Sequence, residues 1–209
     1  KKIPILVGGT GLYFKALTEG LVEITPIPIK FRNNIRLLQK SIGQKKFYKK
    51  LLKIDPLIAK HIECTDVQRS IRAYEVKLFT KKSIIEWYKS TRSKFKKKEF
   101  FRLYIDYPRS ELIEKINLRT RQMLKKGVVL EVKKFLRLRI SNNKSISKAI
   151  GLAEIKDFIK NKITEEQVIE KISIKTRQYA KRQVTWARGH MTGWKKIKPK
   201  RLNIFLKKI

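Results

Sequence analysis

The sequence predicts an α/β fold in which helices dominate. Two observations indicate a sheet: an apolar run at Ile3–Val7 leads directly into the turn Gly8–Gly11, and Phe101, Leu103 and Ile105 alternate with other residues as in a strand. Elsewhere, apolar residues recur every three or four positions, which is the helical period. The 209 residues are 42% hydrophobic, which is enough to build a core.

The chain carries a net charge of +36, which favours a polyanionic partner. The alternative is a bias of composition, because the chain is rich in Ile as well as in Lys and a lysine-rich surface needs no function. The single Cys64 excludes an internal disulfide and a multi-cysteine zinc site. No apolar run approaches the ~18 residues of a membrane span, and the basic helices carry Arg, Gln and Thr where a membrane-surface helix carries Lys beside Trp and Phe. We therefore expect a cytoplasmic protein that binds no membrane.

In the first half of the chain, the glycine turn is followed by a predicted helix over Leu12–Glu19. Thr25–Pro28 is predicted to be an extended linker because it contains two prolines. Asp55-Pro56 has the signature of a helix N-cap followed by a first-turn proline. Three groups of apolar residues at helical spacing form the predicted buried faces: Ile35, Leu38 and Ile42; Phe47, Leu51 and Ile54; Val67, Ile71 and Leu78.

In the second half, Lys94–Lys98 is predicted to be a solvated basic turn before the second strand. Ser110 is predicted to cap a helix that continues through Lys126 and ends at Gly127, and a further helix runs to about Leu138. A polar loop over residues 139–147 follows. The capping box Thr164-Glu165-Glu166-Gln167 opens the longest predicted helix. The residues near its buried face are Val168, Ile172, Tyr179 and Trp186.

The turn Gly8–Gly11 is the first candidate for a functional site. A strand followed by glycines and a helix lets an oxyanion approach main-chain amides near the helix N-terminus. Thr10 adds a hydroxyl that can donate to a phosphate or accept from a base amine. The alternative is an ordinary tight turn between a strand and a helix, which would be favoured if no further signal were present elsewhere in the chain.

A second candidate lies on the helix that Thr65 or Asp66 is predicted to cap. There, Gln68 and Arg72 are one helical turn apart and Arg69 lies beside them, and such amide and guanidinium groups suit phosphates and base edges. The alternative is a pair of intrahelical ion pairs on a solvated face, from Asp66 to Arg69 and from Arg72 to Glu75.

The longest predicted helix is the third candidate. Two rows of mostly cationic residues follow its length at helical spacing: Lys171, Lys175, Gln178 and Arg182; Arg177, Lys181 and Arg188. We expect these rows to face phosphates, although a solvated basic face remains the alternative for any one member. His61, His190 and Cys64 lack the spacing of metal ligands or of a catalytic nucleophile and its base, and no GxSxG motif occurs, so nothing indicates covalent catalysis.

Four stretches together resemble the tRNA dimethylallyltransferases, also called tRNA isopentenyltransferases. They are PILVGGTGLYFKALTEGL at 4–21, DVQRSIRAYEV at 66–76, the pattern I-x-x-R-x-x-x-M-x-x-x-G-x-x-x-EV at 116–132, and TRQYAKRQVTWAR at 176–188. Their order and spacing match that family along essentially the whole chain, and the first and last stretches are highly specific.

The resemblance implies roles for individual residues. Thr10 is expected at the mouth of the reaction channel as the catalytic residue, near the adenine amine and also in contact with tRNA. The residues expected near the diphosphate are Gly8, Gly9, Gly11 and Arg119. The residues expected to contact tRNA besides Thr10 are Arg32; Gln68, Arg69, Ser70, Ile71 and Arg72; Lys148, Ala149, Ile150, Gly151, Leu152 and Ala153; Lys181, Arg182, Gln183, Thr185, Trp186 and Arg188.

Two departures from the family pattern stand out. The sequence has neither a GxTxxGK[ST] P-loop nor the Asp-Ser-x-Gln motif whose aspartate is the presumed general base of the family, and residue 152 is leucine where the family usually has an aromatic residue. We therefore expect the 209 residues to be part of a longer protein and to have no transferase activity by themselves. No residue of the chain is assigned as a metal ligand.

The resemblance implies a P-loop NTPase-like α/β core with the P-loop part missing, a helical insertion lobe and a mainly helical C-terminal part. The expected division is residues 1–21 for the core, 22–97 for the tRNA-contacting lobe, and 98–209 for the return to the core and the basic helices. The implied reaction moves a dimethylallyl group from dimethylallyl diphosphate to N6 of adenine 37 in tRNAs that read UNN codons, with Mg²⁺ as cofactor. The resemblance also implies an ATP-binding type of fold and a monomeric protein. The alternatives are an RNA-binding protein without catalysis and a P-loop transferase acting on free nucleotides.

Overall fold

The structure is a computed structural model that describes residues 4–142 and 144–207, with the backbone alone for Lys97. The chain divides into two compact units. One consists of residues 12–100, and the other of the described residues on either side of that range.

Residues 12–100 form a helical unit. Its α-helices are α1 (Gly11–Glu19, whose first residue belongs to the other unit), α2 (Ile29–Ile54), α3 (Val67–Thr80) and α4 (Ile84–Lys89). Short 3-10 turns lie at Pro56–Lys60 and Lys97–Glu99. The backbone breaks α2 at Gly43, where φ is 73° and ψ is 162°, and this break separates the two apolar faces that the sequence predicts. Gly43 thereby lets the second half of α2 take its own direction.

The core of this unit lies where α2, α3 and α4 meet the 3-10 turn at Pro56–Lys60. Its fully buried side chains include Phe47 and Leu51 of α2, Ile58 of the 3-10 turn and Val76 of α3. The ring of Phe47 packs on that of Tyr74 with centroids 4.8 Å apart. The predicted apolar faces of α2 and α3 are therefore confirmed, because they are the faces that meet here.

The other unit also consists mainly of helices. They are α5 (Arg109–Lys125), α6 (Val128–Arg137), α7 (Leu152–Ile159), α8 (Glu165–His190) and α9 (Leu202–Leu206). Its strands β1 (Leu103–Ile105) and β2 (Lys195–Ile197) form a two-stranded parallel sheet in which Leu103 is opposite Lys195. Val132, Ile155, Val168 and Ile172 form the core between α6, α7 and α8. Between α5 and α8 the buried Ser173 hydroxyl lies 3.4 Å from that of Thr120.

The predicted strand at Ile3–Val7 is wrong over the part that the structure describes. Ile3 lies outside the described residues, and Ile5, Leu6 and Val7 are exposed and in no strand. An apolar run becomes a strand only where a neighbouring strand satisfies its amides and carbonyls, and no such neighbour is present among residues 4–142 and 144–207. The strand predicted around Leu103 is confirmed because β2, which the sequence did not suggest, pairs with it. The fold is thus mostly helical with a small parallel sheet.

Local signals located several helix ends correctly. Asp66 caps α3 by accepting a hydrogen bond from the Arg69 amide at 3.0 Å, and Gly127 ends α5 with φ at 89°. Ser110 does not cap α5, because the helix already begins at Arg109 after Pro108. Asp55 precedes a 3-10 turn and makes no capping bond; its buried carboxylate has no hydrogen-bond partner among the described residues.

The capping box of Thr164 and Gln167 opens α8 as predicted. Along that helix Val168 and Ile172 are buried as expected, Trp186 is half-buried, and the prediction for Tyr179 is wrong, since the ring is 41% exposed beside Arg182. Among the described helices, none combines the length and apolar character that a membrane crossing requires.

Candidate functional site

The glycine turn and the C-terminal half of α8 lie against each other. A Cβ atom added to Gly9 would clash with the side-chain amide of Gln183, and one added to Gly11 would clash with the indole ring of Trp186. Neither glycine has a positive φ, so both are needed for space. Thr10 is exposed between them, directly before the first residue of α1. Thr10 thus directly precedes α1 and lies between the two glycines that contact α8.

The face of α8 beyond this contact is cationic and open to solvent. Lys181, Arg182 and Arg188 are exposed, while Gln183 and Trp186 are half-buried beneath the turn. The Arg182 guanidinium lies 5.8 Å from the ring centroid of Tyr179 on the same helix. A guanidinium held over an aromatic ring keeps its N–H groups free to donate at its edge, which suits a phosphate oxygen.

The last turn of α8 positions an aromatic pair. The rings of Trp186 and His190 stack with centroids 4.4 Å apart and an interplanar angle of 5°, and His190 Nδ1 lies 3.0 Å from the Trp186 carbonyl.

The Thr185 hydroxyl donates to the Lys181 carbonyl at 3.0 Å. That hydroxyl therefore has its proton engaged within the helix and offers only an acceptor to a ligand.

Tyr104 of β1, which no sequence pattern selects, lies within electrostatic reach of Arg188. Burial raises the pKa of the Tyr104 hydroxyl on β1, the Asp106 carboxylate raises that pKa further, and the Arg188 guanidinium opposes both. Arg188 is therefore close enough to β1 for its charge to act on Tyr104. A signal for this arrangement is missing from the sequence because it depends on how β1 packs beside α8.

The Arg119 side chain is exposed on α5 and has no hydrogen bond or ion pair with the other described residues. Its side chain is thus free to meet an anion. Its expected proximity to the diphosphate remains a prediction.

The loop before α7 is held to α8 by an ion pair whose carboxylate is buried and whose ammonium group is half-exposed. Gly151 adopts φ at 100° and donates its amide to Glu154 at 3.2 Å, and Glu154 also pairs with Lys175. Burial alone would raise the pKa of Glu154, but the Lys175 ammonium and the backbone amides lower that pKa below its ordinary value. The expected contact loop divides accordingly: Lys148, Ala149, Ile150 and Ala153 are exposed, whereas Gly151 is buried and Leu152 is half-buried. Leu152 lines a cavity of about 300 Å³ together with Phe135 and Leu136.

In the unit of residues 12–100, α3 presents only part of the predicted contact segment to solvent. Gln68 and Arg69 are exposed and Arg72 is partly exposed, but Ser70 and Ile71 are buried. Residues 70 and 71 face the core because a helix has one outer face, so we remove their side chains from the expected contacts with RNA.

Both ion pairs weighed from the sequence on α3 form. Arg69 lies 3.0 Å from Asp66, and Arg72 lies 3.4 Å from Glu75. The second pair is not on a solvated face, however, because the Glu75 side chain is 2% exposed. Arg32 of α2, which the sequence assigned to the RNA surface, lies 3.3 Å from the same carboxylate.

Known proteins resemble this chain along its length. The family model for IPP transferases matches residues 1–190. The tRNA dimethylallyltransferase of Pelagibacter ubique is 55% identical over 209 residues, covering all of this chain and 67% of that protein, and the one of Agrobacterium fabrum is 38% identical over 200 residues, covering 95% and 67%.

Solved structures show the same likeness. The tRNA delta(2)-isopentenylpyrophosphate transferase of Staphylococcus epidermidis has a TM-score of 0.54 and 29% identity, covering 96% of this chain and 65% of that one. A eukaryotic dimethylallyltransferase acting on tRNA has a TM-score of 0.69 and 28% identity, covering 89% and 47%. The chain thus spans about two thirds of these curated relatives and less than two thirds of the solved chains.

Proposed function

This chain belongs to the IPP transferase family, and from that premise we propose that it forms part of a tRNA dimethylallyltransferase. The proposed reaction transfers a dimethylallyl group from dimethylallyl diphosphate to N6 of adenine 37 in tRNAs that read UNN codons. The P-loop part of the core and the base that takes the adenine proton would come from residues beyond these 209, since the sequence contains neither GxTxxGK[ST] nor Asp-Ser-x-Gln.

One observation carries the proposal. The two most specific stretches, the glycine turn and the basic helix, are about 170 residues apart in the sequence, yet Gly9 and Gly11 lie against Gln183 and Trp186. A turn suited to a diphosphate therefore lies beside a surface suited to RNA, which a displacement between the two substrates requires.

The chain's own residues would act mainly by positioning and by stabilising charge. The adenine must leave its stack before its N6 amine can attack C1 of the dimethylallyl group, and the Thr10 hydroxyl would orient that amine or the diphosphate. The amides of the turn and the Arg119 guanidinium would stabilise the charge that develops on the leaving diphosphate. Lys181, Arg182 and Arg188 would bind RNA phosphates.

Mg²⁺ is proposed only as a companion of the diphosphate. Within residues 4–142 and 144–207, no three His, Cys, Asp or Glu side chains come together as a metal site. We assign none of the described residues to Mg²⁺, an ion that keeps several of its waters and commonly binds through substrate phosphates.

A chimera tests the function. The third of the Pelagibacter ubique relative that this chain does not cover would be joined to it in that relative's order. Mass spectrometry of digested tRNA should detect N6-isopentenyladenosine after incubation with unmodified tRNA and dimethylallyl diphosphate, and the 209 residues alone should bind tRNA but yield none. Turnover by the 209 residues alone would place the base within them.

The same assay separates the two alternatives. An RNA-binding protein without catalysis would bind tRNA while a folded chimera stayed inactive. A transferase of free nucleotides would modify AMP in preference to tRNA, and the cationic surfaces of α3 and α8 would then have no role in catalysis.

A further inference from the structure

Three guanidinium groups surround one buried carboxylate in the unit of residues 12–100. The Glu75 side chain lies 3.3 Å from Arg32, 3.9 Å from Arg36 and 3.4 Å from Arg72. Arg32 and Arg36 are one turn apart on α2, while Arg72 and Glu75 are one turn apart on α3. The group therefore depends on how the two helices pack.

The charges of this group do not balance. Three positive charges face one negative charge, and no other Asp or Glu of the described residues pairs with these arginines, since Asp66 pairs with Arg69. The local excess is about two positive charges, held by a carboxylate that is 2% exposed. Like charges held together in this way repel each other, and an incoming anion relieves that repulsion.

The hydrogen-bonding capacity is also largely unused. The only hydrogen bond between these side chains that meets geometric criteria runs from Arg72 Nη1 to Glu75 Oε2 at 3.4 Å, which is long. Arg32 Nε is buried and donates to no described residue, although Glu75 is near enough for an ion pair. Each guanidinium has five N–H donors, so most donors of the three remain available to a ligand with several acceptor oxygens.

The arginines are nevertheless accessible. Their side chains are 39% exposed for Arg32, 49% for Arg36 and 40% for Arg72, so each is anchored at one edge and open at another. An anchored guanidinium loses less conformational entropy on binding than a free one. A phosphate oxyanion fits such a group by charge and by geometry.

We propose that Glu75 is a positioning residue that preorganises Arg32, Arg36 and Arg72 as one phosphate-binding cluster, and that Arg36 is a further contact with a tRNA phosphate. This inference rests on the proposed function. The alternative role of the group is to fasten α2 to α3.

Removing the Glu75 charge separates this cluster from diffuse attraction. A diffuse field predicts that Glu75→Gln, which makes the chain more positive, strengthens tRNA binding. A positioning role predicts that it weakens binding on the order of 3- to 10-fold, because the arginines no longer have their anchor. Glu63→Gln is the matched control, since it removes an exposed negative charge of the same unit.

Arg36→Gln tests the cluster without burying an unpaired charge, because Arg36 is the most exposed and most distant of the three arginines. It should weaken binding of an anticodon stem-loop and lower the slope of log affinity against log salt by about 0.7 to 0.9 unit, with little change in melting temperature. Lys46 is an exposed cation of α2 beyond Gly43, and Lys46→Gln should weaken binding and lower the salt slope less than Arg36→Gln does.

The outcomes are separable. If the unsubstituted chain does not bind tRNA, both the proposed function and this inference are overturned. If it binds tRNA while Arg36→Gln leaves affinity and salt slope unchanged, this inference alone is overturned, whether or not Glu75→Gln folds. A variant that weakens binding of inorganic diphosphate but not of tRNA would show a small-molecule anion site and overturn the tRNA assignment.

Discussion

Gly11, the first residue of α1, lies so close to the indole ring of Trp186 on α8 that a side chain at position 11 would overlap the ring. Gly9 is in the same relation to the side-chain amide of Gln183. The turn and the helix are therefore fitted to each other, and Thr10, which they flank, depends on that fit for its position.

Gly11→Ala should destabilise this contact. The added methyl group has no space, so the turn or the indole must move, at a cost of about 1 to 3 kcal/mol. Urea unfolding followed by tryptophan fluorescence measures the decrease in stability. Trp186→Ala in the same chain should remove most of the effect of Gly11→Ala, since the clashing ring is then absent.

Gly189→Ala is the matched control. Gly189 lies on α8 with no atom near its Cβ position, and alanine favours helices by about 1 kcal/mol over glycine. This substitution should leave stability unchanged or raise it. Equal destabilisation by both substitutions would contradict the fit between Gly11 and Trp186.

Thr10→Ala in the chimera should lower the chemical rate much more than tRNA affinity. One hydrogen bond made in the transition state is worth about 2 to 4 kcal/mol, and Thr10 is exposed with its hydroxyl open to a ligand. Single-turnover kinetics at saturating tRNA measure the rate, and Thr25→Ala, in the extended linker, serves as the control. An unchanged single-turnover rate would leave Thr10 as a residue of the turn alone.

What the sequence could predict was local. The capping box of α8 and the end of α5 at Gly127 depend on residues within one helical turn, and both predictions are confirmed. The strand at Ile3–Val7 failed over its described residues because a strand needs a distant partner. The pair between Arg72 and Glu75 is one of the two alternatives that its spacing of three residues left open, although its carboxylate is buried and not on a solvated face.

The rest of that cluster could not be foreseen. Nothing in the spacing of α2 indicates that Arg32 and Arg36 reach Glu75, because their meeting follows from the packing of α2 on α3. The burial of Glu75 is equally a tertiary property. Residue patterns thus select candidates for the site, and packing decides which of them act together.

The ion pair between Glu154 and Lys175 should make stability sensitive to acid. The pKa of Glu154 is lowered in the folded protein, so its contribution to stability is present above the ordinary carboxyl pKa and is lost as pH falls through the folded value. Glu154→Gln should therefore lower the free energy of unfolding by about 1 to 2 kcal/mol near pH 7 and by less below about pH 4. The loss is modest because solvent screens the half-exposed Lys175.

Urea unfolding between about pH 7 and 3 checks this dependence, with Glu170→Gln on the exposed face of α8 as the control. The difference between the unsubstituted chain and Glu154→Gln should shrink as pH falls. A difference that stayed constant would mean that the charge of Glu154 contributes nothing and that only its packing matters.

The last prediction sets specific cationic contacts against the general charge of +36. Arg69→Ala and Arg182→Ala should each weaken tRNA binding and lower the salt slope by about 0.7 to 0.9 unit for every phosphate that the substituted side chain no longer binds, whereas Lys94→Ala and Lys96→Ala, in the exposed basic turn, should do less. Arg69 is informative because its partner Asp66 offers an intrahelical pair worth only about 0.2 to 0.5 kcal/mol. The melting temperature of Arg69→Ala should hardly change while its affinity falls. Filter binding across a salt series measures these effects. Diffuse charge predicts equal effects for all four residues, and that result would mean that the positive charge reflects a bias of composition and not specific contacts with tRNA.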